Sequence, residues 1–124
     1  MASRERRFTV RCEGGSLVRI LWSPAIVLDE TDAHALTTEL VRVLPGLRPH
    51  VLMFLNGMVS LSQDALTHMA RRVPLSAISL VGPSVLDETL VELYLEIYRP
   101  PFPVGYFELE VAGRAWLARQ PALG

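Results

Sequence analysis

A chain of 124 residues, half hydrophobic and one fifth charged, is long enough for one domain with a real core and too apolar for a disordered segment. Its formal net charge of -1 gives no general attraction to nucleic acid or to an anionic membrane. All twelve basic residues are Arg, which reads as coding bias rather than as a physical requirement.

Cys12 stands alone, so no internal disulfide is possible, and no apolar run reaches the ~18 residues of a membrane helix. Met1 to Arg7 is charged and lacks a signal-peptide core. These features predict a single cytoplasmic domain over residues 1–124 without a membrane span, with residues 1–6 flexible. Arg4, Arg6 and Arg7 offer either a grip on an anionic partner or a solvated terminus.

Phe8, Val10 and Cys12 alternate with Thr9 and Arg11, the pattern of a half-exposed strand. Glu13-Gly14-Gly15-Ser16 is a turn signal, so Leu17 to Trp22 is expected to return as the hairpin partner. Ser23-Pro24 ends or bends that strand, and Ala25 to Leu28 continues it briefly. Asp29 can cap a helix, with Asp32 adding negative charge to its first turn. Ala33, Leu36, Leu40 and Val43 or Leu44 recur at helical spacing before Pro45-Gly46 stops the helix.

Val51-Leu52-Met53-Phe54-Leu55 is apolar without alternation, so both faces of this strand should be covered, as at the centre of a parallel sheet. Asn56-Gly57 breaks the run, and Ser62 is placed to cap a helix whose first turn carries Asp64. In that helix Ala65, Leu66, Met69, Ala70 and Val73 fall on one side, and Thr67, His68, Arg71 and Arg72 on the other. Pro74 stops it. Ala77 to Val81 is a second inner strand, closed by Gly82-Pro83-Ser84.

From Leu86 to Tyr98 a helix carries an apolar arc of roughly 200°, twice what one core-facing stripe needs. Glu88, Glu92 and Glu96 fill the rest. The prolines of Arg99-Pro100-Pro101-Phe102-Pro103 exclude helix, Val104 to Phe107 reads as a last strand, and a final helix from about Glu108 carries Val111, Ala112, Ala115 and Trp116. The expected fold is α/β: an N-terminal β-hairpin, then alternating helix and strand. That alternation implies right-handed crossovers and a mixed, mostly parallel sheet of about five strands covered by about four helices.

The opening hairpin through Ile20-Leu21-Trp22-Ser23-Pro24 and Ile26 to Ala33, the buried central strand, and the tail Arg99-Pro100-Pro101-Phe102-Pro103, Tyr106-Phe107 and Ala115-Trp116-Leu117 together resemble the SpoIIAA-like or STAS (STAS/SEC14-like) family, in particular a small bacterial subgroup. The resemblance spans nearly the whole chain and contains no catalytic motif. In STAS anti-anti-sigma factors the turn after the central strand carries Asp-Ser-Ser-Gly, whose second Ser is phosphorylated. Laying the two turns together puts Ser62-Gln63-Asp64-Ala65 on that motif and Asp64 on the phosphorylated position. A carboxylate has about one negative charge where phosphoserine has about 1.5 to 2, and no serine kinase can modify it. The resemblance therefore implies a regulatory turn at Ser62 and Asp64 in which the switchable charge is replaced.

His34, His50 and His68 show no metal-ligand spacing, and no cofactor is implied. Asp64 and His68, four apart on one helix, suit either a base with its orienter or a solvated contact. Gly82-Pro83-Ser84 precedes a helix start but has too few donors for a phosphate cradle. No set of nucleophile, base and oxyanion donors assembles, so the expectation is a non-enzymatic interaction module. Its partner is a protein or its own copy, bound through the regulatory turn or the Leu86 to Tyr98 helix. The alternative is a site for a lipid or another apolar small molecule. Val91, Tyr94, Leu95, Tyr98 and Phe102 are the candidate interface or pocket residues, within an aromatic group that also takes in Tyr106 and Trp116.

Overall fold

The computed structural model of the chain describes residues 7–14, 17–82 and 85–121, with the side chains at 61, 66, 70, 85–88, 90 and 94 outside the description. The expectations for residues 1–6, Gly15-Ser16 and Pro83-Ser84, and for the side chains of Leu66, Ala70, Leu86 and Tyr94, thus lie outside the described residues. Along the rest run β1 (Phe8–Cys12), β2 (Leu17–Trp22), β3 (Val27–Leu28), α1 (Glu30–Val43), β4 (His50–Phe54), β5 (Ser60–Leu61), α2 (Gln63–Arg71), β6 (Ala77–Val81), α3 (Val85–Tyr98), β7 (Val104–Phe107) and α4 (Glu110–Ala118).

The main sheet has the order β1-β2-β4-β6-β7. β1 and β2 form the antiparallel hairpin, from Phe8 opposite Trp22 to Cys12 opposite Val18. The remaining pairings are parallel: β2 with β4, β4 with β6, and β6 with β7. Each parallel step moves the same way across the sheet, so right-handed crossovers place α1, α2 and α3 on one face. That face buries the larger core, around Ile20, Trp22, Leu36, Leu40, Met53 and Met58. On the other face α4 covers Leu52, Ala77 and Val81 through Leu117 and Trp116. The expected mixed, mostly parallel α/β sheet is present.

The segment expected to extend β2 at Ala25 to Leu28 is instead a separate two-residue strand. β3 pairs in parallel with β5, Val27 with Ser60 and Leu28 with Leu61, as a small second sheet. Two residues leave no alternation for a sequence pattern to reveal.

α4 meets the sheet through a residue with no side chain. Gly113 is buried, its carbonyl accepts a 2.9 Å bond from the Ser79 hydroxyl, and a Cβ there would lie 3.1 Å from Ser79 Oγ and 3.3 Å from Val81 Cγ2. Gly113 and Leu117 form the buried face, whereas Val111 is 73% exposed. Arg114, beside them, donates to both carboxylate oxygens of Glu13 at 2.7 and 2.9 Å and to Glu110 at 2.6 Å, clasping the helix to the end of β1.

His68 corrects the expected outward face of α2. It is 5% exposed, because α1 packs alongside and covers it. Its Nε2 lies 2.7 Å from Thr37 Oγ1, and the Thr37 hydroxyl also donates to the Ala33 carbonyl at 3.1 Å. That hydroxyl has one proton to give, so when it is spent on the Ala33 carbonyl the contact to His68 is made by Nε2–H donating to Thr37. The His34 ring stacks at a 4.2 Å centroid distance. Burial first, and then the charges of His34 and Arg72, push the His68 pKa below its ordinary 6.5, against an opposing pull from Glu30.

Gly113→Val should lower unfolding stability by about 2 kcal/mol in urea titrations, since the added carbons meet Ser79, Val81 and Leu52 across a closed gap. His68 gives a pH dependence of defined sign. The folded ring binds its proton more weakly than the unfolded one, so its contribution is complete above 6.5 and is lost as pH falls from there through the folded value. Urea midpoints taken downward from neutral pH should fall across this window, and His68→Gln should flatten the decline. An equally steep decline in the variant would show that His68 is not its source.

Candidate functional site

The regulatory turn predicted from the sequence sits where the parallel strands end and two helices begin. Asn56 and Gly57 both have left-handed backbones, with φ of 55° and 71°, which reverses the chain after β4. The Asn56 side chain donates to the Trp22 carbonyl at 3.1 Å, and its own carbonyl accepts from Ala25 N–H at 3.2 Å. The turn thereby holds the exit of β2. The small ladder continues through Val59 N–H to Ile26 O and Ser62 N–H to Leu28 O. Because Leu28 pairs with Leu61, the next residues on the two strands, Asp29 and Ser62, start α1 and α2 side by side.

Both starts are capped as expected. Ser62 Oγ accepts from Ala65 N–H at 3.0 Å. Asp29 and Asp32 form a reciprocal capping box, each carboxylate accepting from the other's backbone N–H at 3.0 Å. The bond from Asp32 N–H is the main reason the Asp29 pKa lies below its ordinary 3.8. Arg7 reaches into this corner with Nε 2.8 Å from Asp32 and a second nitrogen 2.7 Å from the Val27 carbonyl. Arg7 therefore keeps nearly half of its side chain in solvent, 46% exposed, while its head group is tied to this corner. Asp64 is exposed in the first turn of α2, and the hydrogen bond of His68 is to Thr37 on the neighbouring helix.

The candidate residues on α3 divide by face. Val91 is 5% exposed and belongs to the core, Leu95 is partly buried against it, and Tyr98 is half-buried. Leu93 and Ile97 turn outward at 47% and 58% exposure, beside exposed Glu92 and Glu96. Among the described side chains the arc thus has one edge in the core, at Val91 and Leu95, and one facing solvent, at Leu93 and Ile97. The aromatic residues divide too. Phe102 and Tyr106 pack on the α1–α3 side, and Tyr106 donates to the Gly82 carbonyl at 2.7 Å. Trp116 lies on the opposite side with Phe107, 5.8 Å between ring centroids.

Phe102 also lines a groove at the opposite end of the sheet, where α2 stops and β6 and β7 begin. Its volume is about 240 Å³, and its walls include Arg48, Arg71, Arg72, Leu75 and Pro101. The walls are fixed by backbone bonds: Arg72 N–H to His68 O at 2.8 Å, Ser76 N–H to Pro49 O at 2.9 Å and Ile78 N–H to Pro103 O at 3.0 Å. Sequence reasoning did not gather these arginines. A usable signal was present, because Arg42 and Arg114 have a Glu three or four residues before them, whereas Arg71 and Arg72 have no acid at helical spacing.

The two ends thus have different chemistry. The helix starts present carboxylates around hydrogen bonds already made, and the groove presents guanidinium groups beside an aromatic ring. Among the described residues no group of three or more His, Cys, Asp or Glu is arranged to hold a metal ion, and no helix is long and apolar enough to cross a membrane.

Comparison with known proteins places the fold. A crystal structure of a DUF3478-family protein with a SpoIIAA-like fold from Shewanella loihica PV-4 superposes with a TM-score of 0.66 over 94% of this chain and 98% of that one, at 16% identity. A protein of unknown function from Arthrobacter sp. FB24 aligns over 95% and 97% of the two chains at 23% identity, with a TM-score of 0.33. No curated protein matches the sequence. The chain has the SpoIIAA-like fold, and over residues 10–120 it matches, and so belongs to, the family described as a domain of unknown function, DUF7793.

Proposed function

We propose that the chain is a non-enzymatic, STAS-like regulatory module that binds another protein through the outer stripe of α3. The observation that carries the reading is Leu93 and Ile97, one turn apart, 47% and 58% exposed, and bordered on one side by exposed Glu92 and Glu96. Covering them would contribute about 1 kcal/mol each, enough to favour a contact and too little to make it permanent. The glutamates define the partner. Pairing the stripe with its own copy sets like charges against each other, whereas an apolar strip with basic flanks complements it.

Ser62 and Asp64 fit the same reading as a corner of constant charge. Asp64 supplies about one negative charge to the start of α2 whatever the kinase activity around it, so binding would not be gated at that position. The alternative of a purely apolar ligand has less support, because Phe102 and Tyr106 lie on one face and Trp116 on the other, and the groove beside Phe102 is lined with arginine.

Affinity capture from host cells with the intact protein as bait should return a partner that the double variant Leu93→Glu/Ile97→Glu loses, with the thermal midpoint of that variant unchanged. Val91→Glu marks the contrast: it places a charge in the core and should cost about 3 kcal/mol or more of stability. Equal recovery of every partner by a folded double variant would remove α3 as the binding surface.

A further inference from the structure

We infer that the groove between the end of α2 and the Pro101-Phe102 segment is a binding site for a small organic phosphate, its dianion held by Arg48, Arg71 and Arg72 and its apolar body laid against Phe102. The inference is independent of the α3 surface and concerns the opposite end of the sheet from Ser62.

Several arginines elsewhere in the chain are ion-paired, though not all of them: Arg11, Arg99 and Arg119 have no ion pair among the described residues. Arg7 is bound to Asp32, Arg42 to Glu39, and Arg114 to Glu13 and Glu110. Among the described residues none of the three groove arginines is ion-paired, and all three line one space of about 240 Å³. Like charges brought together without a counter-ion repel, and an anion between them removes that cost. The negative end of α2 accounts for Arg71 and Arg72, since cations are favoured there. It does not account for Arg48, which comes from the loop before β4, outside any helix.

Two further properties narrow the ligand. Guanidinium forks match the oxygens of phosphate in pairs, and three of them exceed what a single carboxylate can use. Leu75, Pro101 and half-buried Phe102 form an apolar wall beside the charges, so a ligand with a compact aromatic or aliphatic body gains where inorganic phosphate does not. The volume lies below the ~300 Å³ at which drug-sized pockets begin, which limits that body to about one ring. The backbone bonds of Arg72, Ser76 and Ile78 hold the walls in place beforehand, so little ordering opposes binding. The phosphate can belong to a free metabolite or to a lipid head group, and the chemistry of recognition is the same.

The test is titration of the full chain with phenyl phosphate, inorganic phosphate and phenol, followed by amide chemical shifts. Phenyl phosphate should move the resonances of residues 71–75 and 101–102, bind more tightly than inorganic phosphate, and weaken as salt is raised. Phenol should leave them unmoved. Arg48→Gln and Arg72→Gln, both exposed and both expected to fold, should each weaken phenyl phosphate about tenfold or more. Phe102→Leu should erase its advantage over inorganic phosphate. Sedimentation with phosphatidylcholine vesicles containing phosphatidic acid, lost in Arg72→Gln, would support the site and assign its ligand to a lipid. Unmoved resonances, equal binding of phenol, or undiminished affinity in both arginine variants would overturn the inference. So would the same resonances moving with protein concentration alone, which would make the occupant a second copy of the chain.

Discussion

Strand β4 is hydrogen-bonded along both edges and covered on both faces, and the rest of the molecule is arranged to make that possible. Val51 and Leu52 have no exposed surface, and Met53 is 2% exposed. A strand in this position cannot be joined to parallel neighbours by tight turns, so each connection becomes a crossover, and handedness sends the crossovers to one side. α1, α2 and α3 therefore start near one end of the sheet and finish at the other. α4 then covers the second face, close enough that a Cβ at position 113 would crowd Ser79 and Val81.

This polarity orders the charges. Carboxylates at Asp29, Glu30, Asp32 and Asp64 occupy the first turns or caps of α1 and α2, where partial positive charge accumulates, and Arg71 occupies the last turn of α2. A chain of net charge -1 is thereby acidic at one end and basic at the other. Arg7 moderates the acidic end by pairing with Asp32, and Arg72 adds to the basic end while weakening proton binding at His68. Net charge alone hides this separation, which bears on partners more directly than the total does.

Features that repeat along the chain were legible in the sequence, and features that depend on one distant contact were not. The unalternating run at Val51 to Leu55 announced a central strand, and Asp29 and Ser62 announced helix starts because capping is a local matter. β3 and β5 carried no period to read. Gly113 looks like a weak point in a helix until Ser79, 34 residues away, is seen to donate to its carbonyl. His68 faces outward by helical arithmetic and inward because Thr37 lies on the adjoining helix. For α3 the spacing shows an apolar arc, but the division between core and surface depends on where the sheet lies. This is why exposure at Leu93 and Ile97 could not be separated from burial at Val91 by spacing alone.

The capping pattern also bears on where an anion can be accommodated. A helix start attracts phosphate when its first N–H groups are free and its surroundings are neutral or basic. Here Ser62 already accepts from Ala65 N–H, Asp29 from Asp32 N–H, and the neighbouring side chains are carboxylates. A phosphate added at Ser62 would displace a bond in place and meet Asp64 in the same turn, so the local gain from the helix dipole is opposed by repulsion. The demand for negative charge has been met at that end by the sequence itself. At the other end Arg48, Arg71 and Arg72 line a groove with Phe102 and have no carboxylate partner among the described residues, and there the same electrostatics leave the demand open.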